Sequence, residues 1–163
     1  MTNTEMHTNT HHVGVKGWLL VFCFILILIN PVASINNIYS SFKISSPFFE
    51  LYAGLRLITI IDGILSIGIV CFSVYAGISL WRLRPNAIVI VKAFLLTFMG
   101  YAVVANILPF LAGLPANANE AMVAQAFIGV LRSAIFVFIW YLYLEKSKRV
   151  RATFPDHDIN KPL

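Results

Sequence analysis

The run Ala121-Met122-Val123-Ala124-Gln125-Ala126-Phe127-Ile128-Gly129-Val130-Leu131-Arg132-Ser133-Ala134-Ile135-Phe136-Val137-Phe138-Ile139-Trp140-Tyr141-Leu142-Tyr143-Leu144 is followed within seven residues by Lys146, Lys148, Arg149 and Arg151. Twenty-four residues with one charge are long enough to cross the ~30 Å hydrocarbon core of a bilayer, which takes about 20 residues of helix. An aromatic pair and then four positive charges at its end are how a transmembrane helix leaves the membrane on the cytoplasmic side. The segment therefore decides the fold class: an all-α integral membrane protein.

The rest of the chain agrees. Of 163 residues 59% are hydrophobic and 12% charged, against about 25% charged in an ordinary soluble domain. The formal net charge of +5 would fit nucleic acid if it formed a polar module. Here the basic residues flank apolar runs and set topology instead, so no nucleic-acid partner is expected. Cys23 and Cys71 lie inside apolar runs, where a thiol behaves as a small hydrophobe. Neither a disulfide nor a metal site is expected.

Residues 1–16 read as a disordered polar arm, and its His7, His11 and His12 as solvated. The first apolar run starts at Gly17-Trp18, meets Asn30-Pro31 and resumes to about Tyr39. Lys16, the apolar stretch, the breaker at Asn30-Pro31 and the small Ala33 and Ser34 also fit a cleavable secretory signal. A proline is nevertheless tolerated in a membrane helix where neighbours satisfy the freed carbonyl, and residues 18–39 are read as a first span. A polar loop, residues 40–56, follows, with Phe48-Phe49 and Tyr52 at headgroup depth. Further spans are expected over residues 57–81, 87–112 and 121–144, and a basic tail over 146–163. The expected domain is thus a four-helix bundle, residues 17–145.

Seven basic residues collect on one side of these spans (Lys16, Arg82, Arg84, Lys146, Lys148, Arg149, Arg151) and two on the other (Lys43, Arg56). Positive-inside counting places both termini in the cytoplasm. Trp18, Trp81 and Trp140-Tyr141 fall at that same interface as an aromatic belt. Lys92, near the start of its span, is expected to snorkel to the interface. Lys146, Lys148, Arg149 and Arg151 are candidate contacts for anionic headgroups, at about 1 kcal/mol per charge.

Asp62 is the sole carboxylate inside a span, where a charge costs about 2.5 to 3.5 kcal/mol on insertion scales. It needs water, a partner or a proton. Thr59, Asp62, Ser66, Ser73 and Gly77 fall on one helical stripe, and small or hydroxylated residues there allow close helix approach. Gln125, Gly129 and Ser133 form a matching face on the last span, with Arg132 beside them. Asp62 lies 20 residues before Arg82, and Arg132 lies 14 before Lys146. The difference of 6 is about 9 Å of helical rise, which a tilted helix and a long arginine can close. The expectation is a buried Asp62–Arg132 ion pair, or a shared outward-facing pocket with Asn106. Ser66 and Gln125 complete this polar cluster; Thr59, Ser73, Gly77, Gly129 and Ser133 are expected to pack helices. Such contacts can serve register alone, or an ion, proton or solute path.

Gly17-Trp18-Leu19-Leu20, the turn Leu80-Trp81-Arg82-Leu83-Arg84-Pro85 with Ala87 and Lys92, and the closing Trp140-Tyr141-Leu142, Ser147-Lys148-Arg149-Val150 and Thr153-Phe154 resemble a family of small bacterial inner-membrane proteins. It is a YdgK-like domain of unknown function with four transmembrane helices. The resemblance runs from Gly17 to Phe154, with Val15-Lys16 standing where the family often carries a second glycine. It implies four spans and a bacterial inner membrane, and it assigns no catalytic or binding residue.

Function classes follow by weight. No nucleophile with a base and no His-Glu-x-x-His cluster stands in the spans, so no enzyme, catalytic residue, metal or cofactor is expected. A non-enzymatic accessory or scaffold component of a membrane complex is the first expectation. A small transporter or channel subunit moving an ion, proton or solute past Asp62 is the alternative, and it would work as a homo-oligomer. The expected partners are the lipid bilayer and either a membrane-protein partner or further copies of the chain.

Overall fold

A computed structural model describes residues 17–112 and 116–147 together with Val150 and Phe154. The described chain is all helix: α1 (Trp18–Phe24), a π-helical segment (Ile25–Ile29), α2 (Asn30–Ser45), α3 (Ala53–Trp81), α4 (Ala87–Ile107) and α5 (Ala116–Lys146), with 3-10 turns at Ser46–Phe48 and Leu108–Ala112. Among the described residues four helices are long and apolar enough to cross a membrane: Trp18–Phe48, Ala53–Trp81, Ala87–Leu111 and Met122–Lys146. The first continues well beyond Tyr39. At 31 residues and 1.5 Å per residue it is about 46 Å long, so most of the expected loop 40–56 is helix. Ser40, Ser41 and Ser45 do not stop a helix whose next breaker is Pro47.

Buried Leu19, Leu80, Ala87, Ile88, Trp140 and Leu144 belong to one apolar cluster. That brings the start of α1, the end of α3, the start of α4 and the end of α5 to the same end of the bundle, so the four spans alternate in direction. α3 packs on both the first span and α4, and α4 packs on α5. The ring of Phe22 stacks on Trp140 at 4.1 Å between centroids, closing α1 onto α5. Trp140 is 8% exposed and so belongs to the core, whereas Trp18 and Trp81 stand exposed as a belt residue would. The chain Phe72, Phe94, Phe98, Phe136, Trp140 runs ring against ring through α3, α4 and α5. Lipid tails are as apolar as these side chains, so shape and close contact hold this core more than transfer from water does. Large exposed residues such as Ile64, Ile67, Phe127 and Phe138 present the outer, bilayer-facing surface.

Two of the sequence signatures are local backbone devices. Gly17 precedes α1 at φ 68 and ψ −136, a region open only to glycine, and its carbonyl accepts from Leu20 and Val21 N–H. At the end of α3 the Arg84 N–H donates to Ser79 O and the Leu83 N–H to Leu80 O, the two bonds of a Schellman ending. Leu83 holds the left-handed position at φ 50, where glycine is usual. Its side chain packs on the apolar cluster, which offsets the strain, and Pro85 then prevents the helix from resuming.

Val150 and Phe154 are 1% and 4% exposed and join the same cluster. The Phe154 N–H donates to Val150 O at 2.9 Å. Val150 and Phe154 of the closing motif are therefore docked on the end of the bundle. Lys148, Arg149, Arg151, His7, His11, His12 and His157 lie outside the described residues, and Lys146 is an exposed residue at the end of α5.

Candidate functional site in the membrane interior

The site begins with a defect in the first span. Asn30 N–H bonds to Ile25 O, five residues back, and in the same register the Leu26 carbonyl would take the N–H of residue 31. Proline has none. Ser73 supplies the missing donor, its hydroxyl reaching Leu26 O at 2.8 Å, while Asn30 Nδ2 donates to Ser73 Oγ at 2.9 Å. Gly77, one turn on, lets the helices touch: a Cβ there would lie 2.5 Å from Ile27 Cγ1 and 3.1 Å from Leu26 Cβ. Ser73 and Gly77 thus clamp α3 to the wide turn, and fully buried Phe22, Cys23 and Leu26 make the first span part of the core.

Beyond the clamp, α2, α3, α4 and α5 line a partly open cavity of about 340 Å³. Asp62 and Ser66 reach it from α3, Asn106 from α4, and Gly129, Arg132 and Ser133 from α5. The structure so brings together four of the five residues of the expected polar cluster. Gln125 is the exception: it lines a separate 240 Å³ hollow with Pro109, Phe110 and Met122, and Asn106 borders both spaces. Thr59 lies outside too, its hydroxyl turned back to Leu55 O at 2.8 Å. The single α3 stripe is divided among three tasks, because a helix 29 residues long meets different neighbours along its length.

Asp62 and Arg132 line the same cavity without an ion pair; the salt bridge among the described residues joins Lys92 to Glu145. Tyr101 is the partner of Asp62 instead, its hydroxyl donating to Oδ1 at 3.2 Å. Lys92 does not merely snorkel: besides Glu145 of α5 it has the Tyr141 ring 5.4 Å from its ammonium. Asn106 Nδ2 donates to Ala102 O at 2.7 Å, and Ser133 Oγ to Gly129 O at 3.1 Å. Gly129 is small because Asn106 sits on it, with Oδ1 2.7 Å from where a Cβ would stand.

Four polar lining residues lie outside the set expected from the sequence: Asn30, Ser34, Asn37 and Tyr101. The first three are spaced i, i+4, i+7, a polar helical stripe. The stripe is hard to see in the sequence because it begins at the Asn30-Pro31 pair, which also carries the signature of a helix breaker. Tyr101 carried a weaker signal, a phenol in mid-span whose hydroxyl needs a partner. Chemically the cavity offers one carboxylate, one guanidinium, amides and hydroxyls at membrane depth.

Four alternating membrane-length helices around such a polar space make this a multi-pass membrane protein. The chain belongs to the family described as protein of unknown function (DUF2569), whose model matches residues 12–155. No curated protein and no solved structure matches it.

Proposed function

We propose that the chain is a non-enzymatic, multi-pass protein of a bacterial inner membrane that holds a small polar solute, ion or proton in the Asp62 cavity and moves it past that residue, as a homo-oligomer. The observation that supports this reading is the cavity itself: four spans contribute Asn30, Asn37, Asp62, Tyr101, Asn106 and Arg132 to one space. Keeping two charges in a bilayer interior costs several kcal/mol, about 2.5 to 3.5 for each on insertion scales. Helix register alone does not call for that, since interhelical hydrogen bonds average only about 0.6 kcal/mol. Reconstituted into proteoliposomes, the wild-type chain is expected to carry a solute or proton flux that Asp62→Asn abolishes.

An accessory or scaffold role in a larger membrane complex is the second reading, favoured by α5. Phe127, Leu131, Ile135 and Phe138 stand exposed along it in the single chain, so a helix of another protein has room there. Native mass spectrometry of the protein taken gently from its own membrane separates the two. A stoichiometric partner makes it an accessory subunit, and a homo-oligomer favours transport. Purified protein that turned over lipid, with loss in Ser66→Ala or Ser73→Ala, would overturn the non-enzymatic reading.

Both termini are placed in the cytoplasm on the positive-inside count. Arg82 and Arg84 follow the end of α3 and Lys146 is the last residue of α5, at the end of the bundle where the apolar cluster lies.

A further inference from the structure

Resting on the reading of the cavity as a solute site, we propose that its ligand is a zwitterion, with an ammonium group on the Asp62 carboxylate and an acid group, carboxylate or phosphate, on the Arg132 guanidinium. The two charges share one space of about 340 Å³ and yet form no ion pair with each other. Asp62 takes one hydrogen bond on Oδ1 from Tyr101, and among the described residues Oδ2 has no donor. Arg132 has five donors and, among the described residues, no hydrogen-bond or salt-bridge partner.

The cavity's own charges sum to zero. Arg132 is exposed in the single chain and Asp62 half-buried, both at the depth of the spans; there a lone cation would satisfy Asp62 and leave the guanidinium uncompensated, and a lone anion would do the reverse. A molecule carrying both signs neutralises both ends. Asn37 and Ser34 of α2 also line the space and can hydrogen-bond the skeleton between the two groups. At roughly 30 Å³ for a water-sized group, the volume suits about ten non-hydrogen atoms, the scale of an amino acid or a phospholipid headgroup.

One feature leaves room for the second source. Tyr101 also lines an apolar groove of about 550 Å³ between α3 and α4, with Ile64, Leu65, Gly68, Gly100 and Val104. Tyr101, which holds Asp62, therefore borders both the polar cavity and a place suited to an acyl chain.

The test uses the full chain in lipid nanodiscs. Glycine is compared with ethylamine and acetate by calorimetry, and phosphatidylethanolamine with phosphatidylglycerol by native mass spectrometry. The expected result is that glycine, phosphatidylethanolamine or both are held at least tenfold more tightly than their singly charged counterparts. Asp62→Asn and Arg132→Gln should each remove that preference, and Gln125→Ala, in the neighbouring hollow, should leave it intact. Preference for glycine identifies a free solute, and preference for the lipid alone identifies a headgroup. The comparison on the wild-type chain stands even where a variant fails to accumulate. Ethylamine binding as tightly as glycine, and lost only in Asp62→Asn, would overturn the zwitterion and keep the solute site. Absence of binding by every probe, together with absence of flux, would overturn both.

Discussion

Ser73 carries two hydrogen bonds that no other hydroxyl of α3 replaces, one to the carbonyl that Pro31 leaves open and one from Asn30. Ser73→Ala strands a buried carbonyl at a cost of about 1 to 3 kcal/mol; thermal unfolding in detergent should show that loss, whereas Ser79→Ala, whose hydroxyl only returns to Tyr75 O within its own helix, should change little. The glycines divide just as sharply. Gly77→Ala drives a methyl into Ile27 and should destabilise by about 1 to 3 kcal/mol. Gly63 and Gly68 have nothing within 4 Å of an added Cβ, so alanine there is expected to be neutral or to stabilise by up to about 1 kcal/mol through helix propensity. Melting curves of the three variants in one detergent check the ranking; equal effects would remove the close-approach argument.

Elements are joined at the apolar end by the closing tail and by the turn after α3. Unlike the spans, the tail leaves water when it docks, so the hydrophobic term applies to it in full. Burying Phe154 then stabilises by about 1.5 to 3 kcal/mol, and Phe154→Ala should lower the melting temperature while leaving membrane insertion unchanged, as read by membrane fractionation. Leu83→Ile keeps the apolar volume but places a β-branched residue at a positive φ, which should cost about 1 to 2 kcal/mol. Lys92 and Glu145 tie α4 to α5 with side chains 17% and 52% exposed, so exchanging the two charges together should restore most of the stability lost in either single change.

For the whole bundle, the missing Asp62–Arg132 pair gives a distinct expectation. Exchanging these two charges should fail to rescue membrane accumulation lost in the single variants, because Tyr101 and not Arg132 holds Asp62. Recovery to wild-type levels, measured by quantitative blotting of membranes, would restore the direct pair. Topology is checked with reporter fusions: activity of a cytoplasmic reporter is expected at the turn 82–86 and after the tail, and activity of a periplasmic reporter at 46–52.

Composition and run length alone were enough for four spans, because a bilayer accepts only segments that satisfy their own backbone and bury about 20 apolar residues. The Asp62, Ser66, Asn106 and Arg132 cluster was also legible, since polar groups inside a span stand out against lipid. Partnership was not. Which of Arg132, Tyr101 or Ser66 faces Asp62 depends on how α3, α4 and α5 are rotated, and one residue of shift turns a side chain by about 100°; the π turn ahead of Pro31 sets the same rotation for Asn30, Ser34 and Asn37. The core position of Trp140 and the docking of Val150 and Phe154 were hidden for a related reason: an aromatic residue at a span end reads as belt whether it points to lipid or inward, and that direction exists only once the helices have packed.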